Sequence, residues 1–115
     1  MKKITFVKLT YCPFCRKAEM LLQRLLKENE DYCDLEIERI AEDLDPEKAA
    51  GYPYELVPNF WLDGEKVLEG IPYILTLRDV LEGALKHEEA SAVRDRVEAR
   101  GFPKAPPPDM PPFRD

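Results

Sequence analysis

Cysteine is scarce in this chain of 115 residues: there are three, an odd number. That argues against a disulfide-stapled secreted scaffold, in which paired cysteines make up for a small core. There is one histidine, His87, and one tryptophan, Trp61. A zinc site usually shows a second closely spaced pair of Cys or His, and none is offered. Basic charge is in deficit, with a net charge of −6, so no broad phosphate-binding face is available and nucleic acid is not expected as a partner. No stretch approaches the ~20 apolar residues of a membrane span. Met1-Lys2-Lys3 is basic, but the apolar run after it is too short and interrupted for a signal peptide. Internal repeats are absent. What remains is one domain with one modest core. Its expected home is the cytoplasm, with no membrane association and a monomeric state.

The feature that stands out against this background is Cys12-Pro13-Phe14-Cys15. Two cysteines sit two residues apart where a strand-like run gives way to a helical pattern. Such a pair can make and break a disulfide reversibly, and the alternative reading is half of a zinc site. A sulfur at the first turn of a helix has backbone N–H groups and the positive end of the helix dipole beside it, which favour thiolate over thiol. The thiolate is the species that attacks a disulfide.

Periodicity and punctuation predict the elements. Residues 2–9 alternate like a strand. Pro13 suits a first helical position, and Ala18, Leu21, Leu22, Leu25 and Leu26 make one apolar face of a helix running to about Lys27. Leu35, Ile37 and Ile40 mark a second strand, parallel to the first by the βαβ rule. Asp45-Pro46 opens a short helix that ends near Gly51. Asp63-Gly64 between 59–62 and 66–68 reads as a tight hairpin. Thr76 is expected to cap a further helix, with Asp79 reaching back in a capping box. Residues 88–100 read as a charged helix, either separate or continuous with the one before, stopped by Gly101. From Phe102 onward lie six of the eleven prolines, which read as an extended tail.

The order strand, CxxC helix, strand, short helix, hairpin, helix resembles the thioredoxin fold. Within it, Cys12-Pro13-Phe14-Cys15 is similar to the CP(Y/F)C of the glutaredoxin family. Val57-Pro58, with Pro58 46 residues after Cys12, matches the family's Val-Pro before the third strand. The resemblance covers roughly residues 2–86. It implies an α/β fold with a four-stranded mixed sheet, β-α-β then β-β-α, flanked by helices. The domain would span 1–86, with a charged helical extension over 87–101 and a Pro-rich tail over 102–115. It also implies that the Val57–Pro58 peptide is cis and that the Val57 backbone faces the cysteines, free to pair with an extended substrate.

The activity implied is thiol–disulfide exchange on protein disulfides, with Cys12 attacking and Cys15 resolving. Tyr11, Pro13, Phe14, Val57 and Pro58 would line the substrate site, with no metal and no permanently bound cofactor. The chain departs from glutathione-using members at three places: Leu9 replaces a Lys, Leu56 precedes Val-Pro where Thr is usual, and Glu69-Gly70-Ile71-Pro72 replaces a Gly-Gly…Asp run. Glu69 is expected to add negative charge where an anionic peptide would sit. The electron donor expected is therefore a flavoprotein reductase or another dithiol rather than glutathione. Two rivals are a non-enzymatic interaction module on the same fold and a dedicated donor to one reductase enzyme. Arg16 and Lys17 read as a solvated helix face or as electrostatic support for the thiolate. Cys33 reads as a small, partly buried apolar residue. Trp61 reads as packing, and His87 as a helix-end residue with no catalytic role.

Overall fold

The computed structural model describes residues 2–106. Along β1 (Ile4–Lys8) alternate side chains go to opposite faces of the sheet, and both faces are covered, so Ile4, Thr5, Phe6 and Val7 are all buried. α1 (Pro13–Glu28) buries Cys15, Ala18, Leu22 and Leu25 along one stripe. A single 3₁₀ turn over Glu30–Asp34 leads to β2 (Ile37–Ala41). α2 (Pro46–Ala49) has Pro46 at its first position and Asp45 as its cap, the Asp45 carboxylate accepting from the Lys48 N–H at 3.3 Å. β3 (Asn59–Leu62) and β4 (Glu65–Glu69) follow, then α3 (Ile74–Leu85) and α4 (Ala90–Ala99).

The strand order is β2-β1-β3-β4. β1 runs parallel to β2 and antiparallel to β3, and β3 runs antiparallel to β4. This is the thioredoxin fold, with its four-stranded mixed sheet flanked by helices. Phe6 and Phe60 face each other across the central pair and stack at 4.5 Å between ring centroids. They sit in the larger core, with Leu22 and Leu25 of α1, Leu77 and Leu81 of α3, and Val93 and Val97 of α4. Trp61 points to the other face, where it packs with Val7, Ile40 and Ala49 and meets the Tyr52 ring edge-on. Asp63 and Gly64 both have positive φ, 47° and 86°, as a two-residue hairpin turn requires. A bulge between Phe60 and Trp61 shifts the β3–β4 register by one residue.

Two expectations about α3 need correction. α3 begins at Ile74, two residues before the expected cap. Its cap residue is Tyr73, which supplies no side-chain bond. Thr76 instead donates to the Tyr73 carbonyl at 3.1 Å. Asp79 does not cap the helix either. It is buried, and Arg100 grips its two carboxylate oxygens at 2.6 and 2.9 Å, tying α3 to the end of α4. A long-range ion pair claims the side chain that a local motif would have used. Of the two readings of residues 88–100, the separate helix holds, as α4. His87 sits at φ 58°, and the Glu88 N–H reaches the Gly83 carbonyl while the His87 N–H reaches that of Ala84. That is a Schellman stop with His in the left-handed position that Gly usually takes.

Gly83 explains how α4 lies so close: a Cβ there would come within 2.4 Å of a Val93 methyl. α4 also shields the exposed edge of β4, with Arg94 donating to the Lys66 carbonyl at 3.2 Å. Beyond α4, Gly101 turns the chain at φ 69° and the next residues cross the turn after β4. Residues 107–115, most of the Pro-rich tail, lie outside the described residues. No helix among the described residues is long and apolar enough to cross a membrane.

Candidate active site

Cys12 is the N-cap residue of α1, extended at φ −116° and ψ 118°, with Pro13 opening the helix proper. Its carbonyl accepts the Arg16 N–H at 2.9 Å. Its sulfur fills the role of a capping side chain and accepts the Cys15 N–H at 3.3 Å. The same geometry puts a partly exposed sulfur against the free N–H groups of the first turn. Cys15, one turn further, faces the core and is 2% exposed. Burial, and next the neighbouring Cys12 sulfur, push the Cys15 thiol up to about 12, against a backbone hydrogen bond at Leu9 and the charge of Lys8. All three cysteines are free thiols.

Val7 pairs with Asn59 across β1 and β3. The segments 9–12 and 57–58 therefore lie at the same end of two neighbouring strands. The Val57–Pro58 peptide is cis. The loop that carries it is held at every residue but one. Glu69 accepts the N–H groups of Glu55 at 2.7 Å and Leu56 at 3.1 Å. Asn59, fully buried, donates to the Leu56 carbonyl at 3.0 Å, and its own oxygen takes the Trp61 indole N–H at 2.6 Å. The Pro58 carbonyl accepts the Gly70 N–H at 2.9 Å. Among the described residues nothing hydrogen-bonds the N–H or C=O of Val57.

Glu69 therefore does not act as expected. Its carboxylate is directed at the 55–56 backbone and paired with Lys66 at 3.2 Å. Burial opposes its charge, but the two N–H donors and then Lys66 outweigh burial and hold the carboxyl below its usual range. Glu69 is a loop clamp, and sequence reading missed it because its partners lie 13 and 14 residues away. Of the three departures from glutathione-using relatives, this one loses its electrostatic force.

The remaining expected site residues fall around Cys12. Phe14 is partly buried and Tyr11 is 93% exposed, so the Tyr11 ring does not cover the helix start. Lys8 approaches Glu19 at 3.9 Å and lies over the Phe6 ring. Arg16 and Lys17 are exposed. Cys33 is exposed rather than partly buried, because the 3₁₀ turn lifts it off the core while its thiol donates to the Leu26 carbonyl at 3.4 Å. Among the described residues no three His, Cys, Asp or Glu side chains come together to hold a metal ion. A cavity of about 260 Å³ lies between β4, α4 and residues 101–104; Glu69 lines it, but none of Tyr11, Cys12, Pro13, Phe14, Cys15, Val57 and Pro58 does.

Glutaredoxin 1 of Salmonella typhimurium and that of Salmonella typhi are each 37% identical to this chain over 60 residues, 49% of this chain and 68% of theirs. Among solved structures, a thioredoxin mutant from Halobacterium salinarum superposes with a TM-score of 0.58 at 23% identity, over 73% of this chain and 74% of its own. Mitochondrial thioredoxin 3 from Saccharomyces cerevisiae gives 0.56 at 21% identity, over 70% and 76%. At those identities the likeness shows the fold. No family model matches the chain. The relatives suggest a thiol–disulfide oxidoreductase, and by its likeness to the Salmonella proteins, on a thioredoxin fold, the chain belongs to the glutaredoxin family.

Proposed function

We propose that this protein reduces protein disulfides by dithiol exchange, with Cys12 as nucleophile and Cys15 as resolving thiol. The observation that carries the reading is the asymmetry of the pair. One sulfur is partly exposed at the helix N-cap, and the other is buried within hydrogen-bonding reach of it through its N–H.

The Cys12 thiolate attacks one sulfur of a substrate disulfide. A mixed disulfide forms and the other substrate sulfur leaves as a thiolate. Cys15 then gives up its proton to that leaving thiolate or to water, and its sulfur attacks Cys12. The Cys12–Cys15 disulfide forms and the second substrate thiol is released. Two electrons pass to the substrate, and an external dithiol, or a flavoprotein reductase, must return them. The high proton affinity of Cys15 keeps it silent until the mixed disulfide has formed beside it. The unpaired Val57 N–H and C=O offer an extended substrate a short strand to pair with, alongside Tyr11, Pro13 and Phe14. No resident cofactor is required. A cytoplasmic setting fits the chemistry, since a reducing compartment keeps the pair in its dithiol form.

The test compares turnover of a protein disulfide driven by a thioredoxin-reductase system with turnover of a glutathione mixed disulfide driven by glutathione. Activity in the first is expected to dominate, because Leu9 and Leu56 still depart from the glutathione-using pattern. Cys12→Ser should abolish turnover, whereas Cys15→Ser should accumulate the mixed disulfide, visible as a mass increase. Activity only with glutathione would overturn the choice of reductant. Silence in both assays would leave the fold as an interaction module.

A further inference from the structure

The solvent face of α1 runs away from Cys12 through the adjacent Arg16 and Lys17 and then Met20, Arg24 and Lys27, each three or four residues after one before it, all exposed. It is basic in a chain whose net charge is −6. Both carboxylates of α1 are paired, and Glu28 takes one partner, Arg24, from this face, so the cations nearest Cys12, Arg16 and Lys17, carry the argument. Glu19 is gripped by Arg39 at 2.6 and 2.8 Å, and Glu28 pairs with Arg24 and Arg78. Among the described residues no carboxylate pairs with Arg16 or Lys17.

The placement runs against what helix stability favours. The first turn of a helix prefers acids, and α1 has none there. Cations sit in or beside that turn instead. Two apolar side chains are also left outside by folding, Tyr11 just before Cys12 at 93% and Met20 on α1 at 72% exposure. On the other flank of Cys12 the charge reverses. Asp43 accepts the Thr10 N–H at 3.2 Å, so the acidic segment Glu42, Asp43, Asp45 and Glu47 lies against the β1–α1 loop. The thiol thus stands on a charge boundary, basic and apolar along α1 and acidic toward α2.

We infer that this face of α1 docks an acidic polypeptide segment of the protein whose disulfide Cys12 attacks. Arg16 and Lys17 engage carboxylates flanking the cystine, and the exposed Tyr11 and Met20 offer apolar contact to either side of them. The acidic 42–47 segment repels a substrate laid on in the opposite sense, so the boundary sets orientation as well as preference. The inference rests on the redox reading for its substrate, but its measurement can be separated from it. Support of the thiolate alone by Arg16 and Lys17 would speed attack on every disulfide equally, whereas docking changes the ratio between substrates.

Three cystine peptides of one length, flanked by Glu, by Lys or by Ser, are compared on the full chain. At low ionic strength kcat/KM for the Glu-flanked peptide should exceed that for the Lys-flanked one by about tenfold, and 0.5 M salt should collapse the ratio toward one. The double variant Arg16→Glu with Lys17→Glu should invert the ratio. A ratio near one in the unaltered protein, or one that charge reversal does not move, would overturn the docking proposal. If no peptide is reduced, the redox reading fails. Anisotropy of the fluorescently labelled Glu-flanked peptide then decides the docking alone, through salt-sensitive binding that is lost in the double variant or its absence.

Discussion

The two halves of the sheet present their parts of the site by different means. β1 and α1 present the thiols through neighbours in sequence: the capping sulfur and the N–H it accepts are three residues apart. β3 and β4 present the loop opposite through distant contacts. Glu69 reaches back to Glu55 and Leu56, and Gly70 donates to the Pro58 carbonyl. Gly70 and the turn after it are in turn crossed by the segment beyond α4. There the Lys104 carbonyl accepts from the Ile71 N–H at 2.9 Å, the Pro103 carbonyl takes the Tyr73 hydroxyl, and Phe102 packs on the Tyr73 ring. A local arrangement depends on the chemistry of a few atoms. A relayed one depends on packing at every relay, so the two halves should break in different ways.

The largest expected effect belongs to the local half and is read with pH. Burial raises the Cys15 thiol from an ordinary value of 9.0 to about 12 in the folded, reduced protein. The unfolded chain then loses that proton first. Between about pH 9 and 12 the unfolded state binds fewer protons than the folded one, so stability falls as pH rises through that window and is fully present below it. Each unit of such a difference is worth about 1.4 kcal/mol. Denaturation of the reduced protein at a series of pH values should show the fall, and Cys15→Ser should make it shallower, leaving the part that Tyr32, Lys3 and Lys48 contribute with the same sign through their own raised values. A flat profile in the unaltered protein would mean that Cys15 is less isolated from water than the fold shows.

The relayed half should break at Gly70. It is at φ 92°, and a Cβ added there would lie 2.2 Å from the Lys104 carbonyl oxygen. Backbone atoms cannot swing aside as a side chain would. Gly70→Ala combines a left-handed cost of about 1–2 kcal/mol with an overpacking cost of about 1–3 kcal/mol, and a loss of about 2–5 kcal/mol is expected by denaturation. Displacing the relay should also loosen the clamp on the 55–58 loop. Amide hydrogen exchange at Glu55 and Leu56 should then quicken while the amides of α1 keep their protection. If α1 loosens equally, the two halves are one cooperative unit and the contrast between them fails.

The same contrast explains what the sequence disclosed. β1, α1, α2 and the Asp63-Gly64 hairpin are announced by alternation, by Pro at first helical positions and by a turn dipeptide, all legible within a few residues. Cys12 and Cys15 are read in that way too. What escaped depends on partners far along the chain. Asp79 looked like a capping residue until Arg100, 21 residues away, claimed it. Glu69 looked like free negative charge until the backbone at 55–56 claimed it. Gly83 goes against the local preference of a helix interior because Val93 occupies the space where a side chain would stand. Cys33 was misjudged for a related reason, since a 3₁₀ turn carries no apolar period to say which side faces in. Pattern reports what a residue prefers, and only the tertiary partner decides between two preferences it could satisfy.

The smallest expected effect tests that statement at a place where local preference and observed structure disagree. His87 occupies the left-handed C′ position after α3 at φ 58°, exposed, with the two Schellman hydrogen bonds made by backbone atoms alone. Local preference asks for Gly there. His87→Gly should relieve a left-handed cost of about 1–2 kcal/mol and give back part of it through the greater freedom of glycine in the unfolded chain. A net gain of up to about 1 kcal/mol in denaturation is expected, with peptide turnover unchanged because the stop between α3 and α4 lies away from the cysteines. A loss of stability instead would show that the imidazole ring holds the α3–α4 corner through contacts of its own. The corner would then belong with Asp79 and Glu69, as a position where a distant partner overrules the local rule.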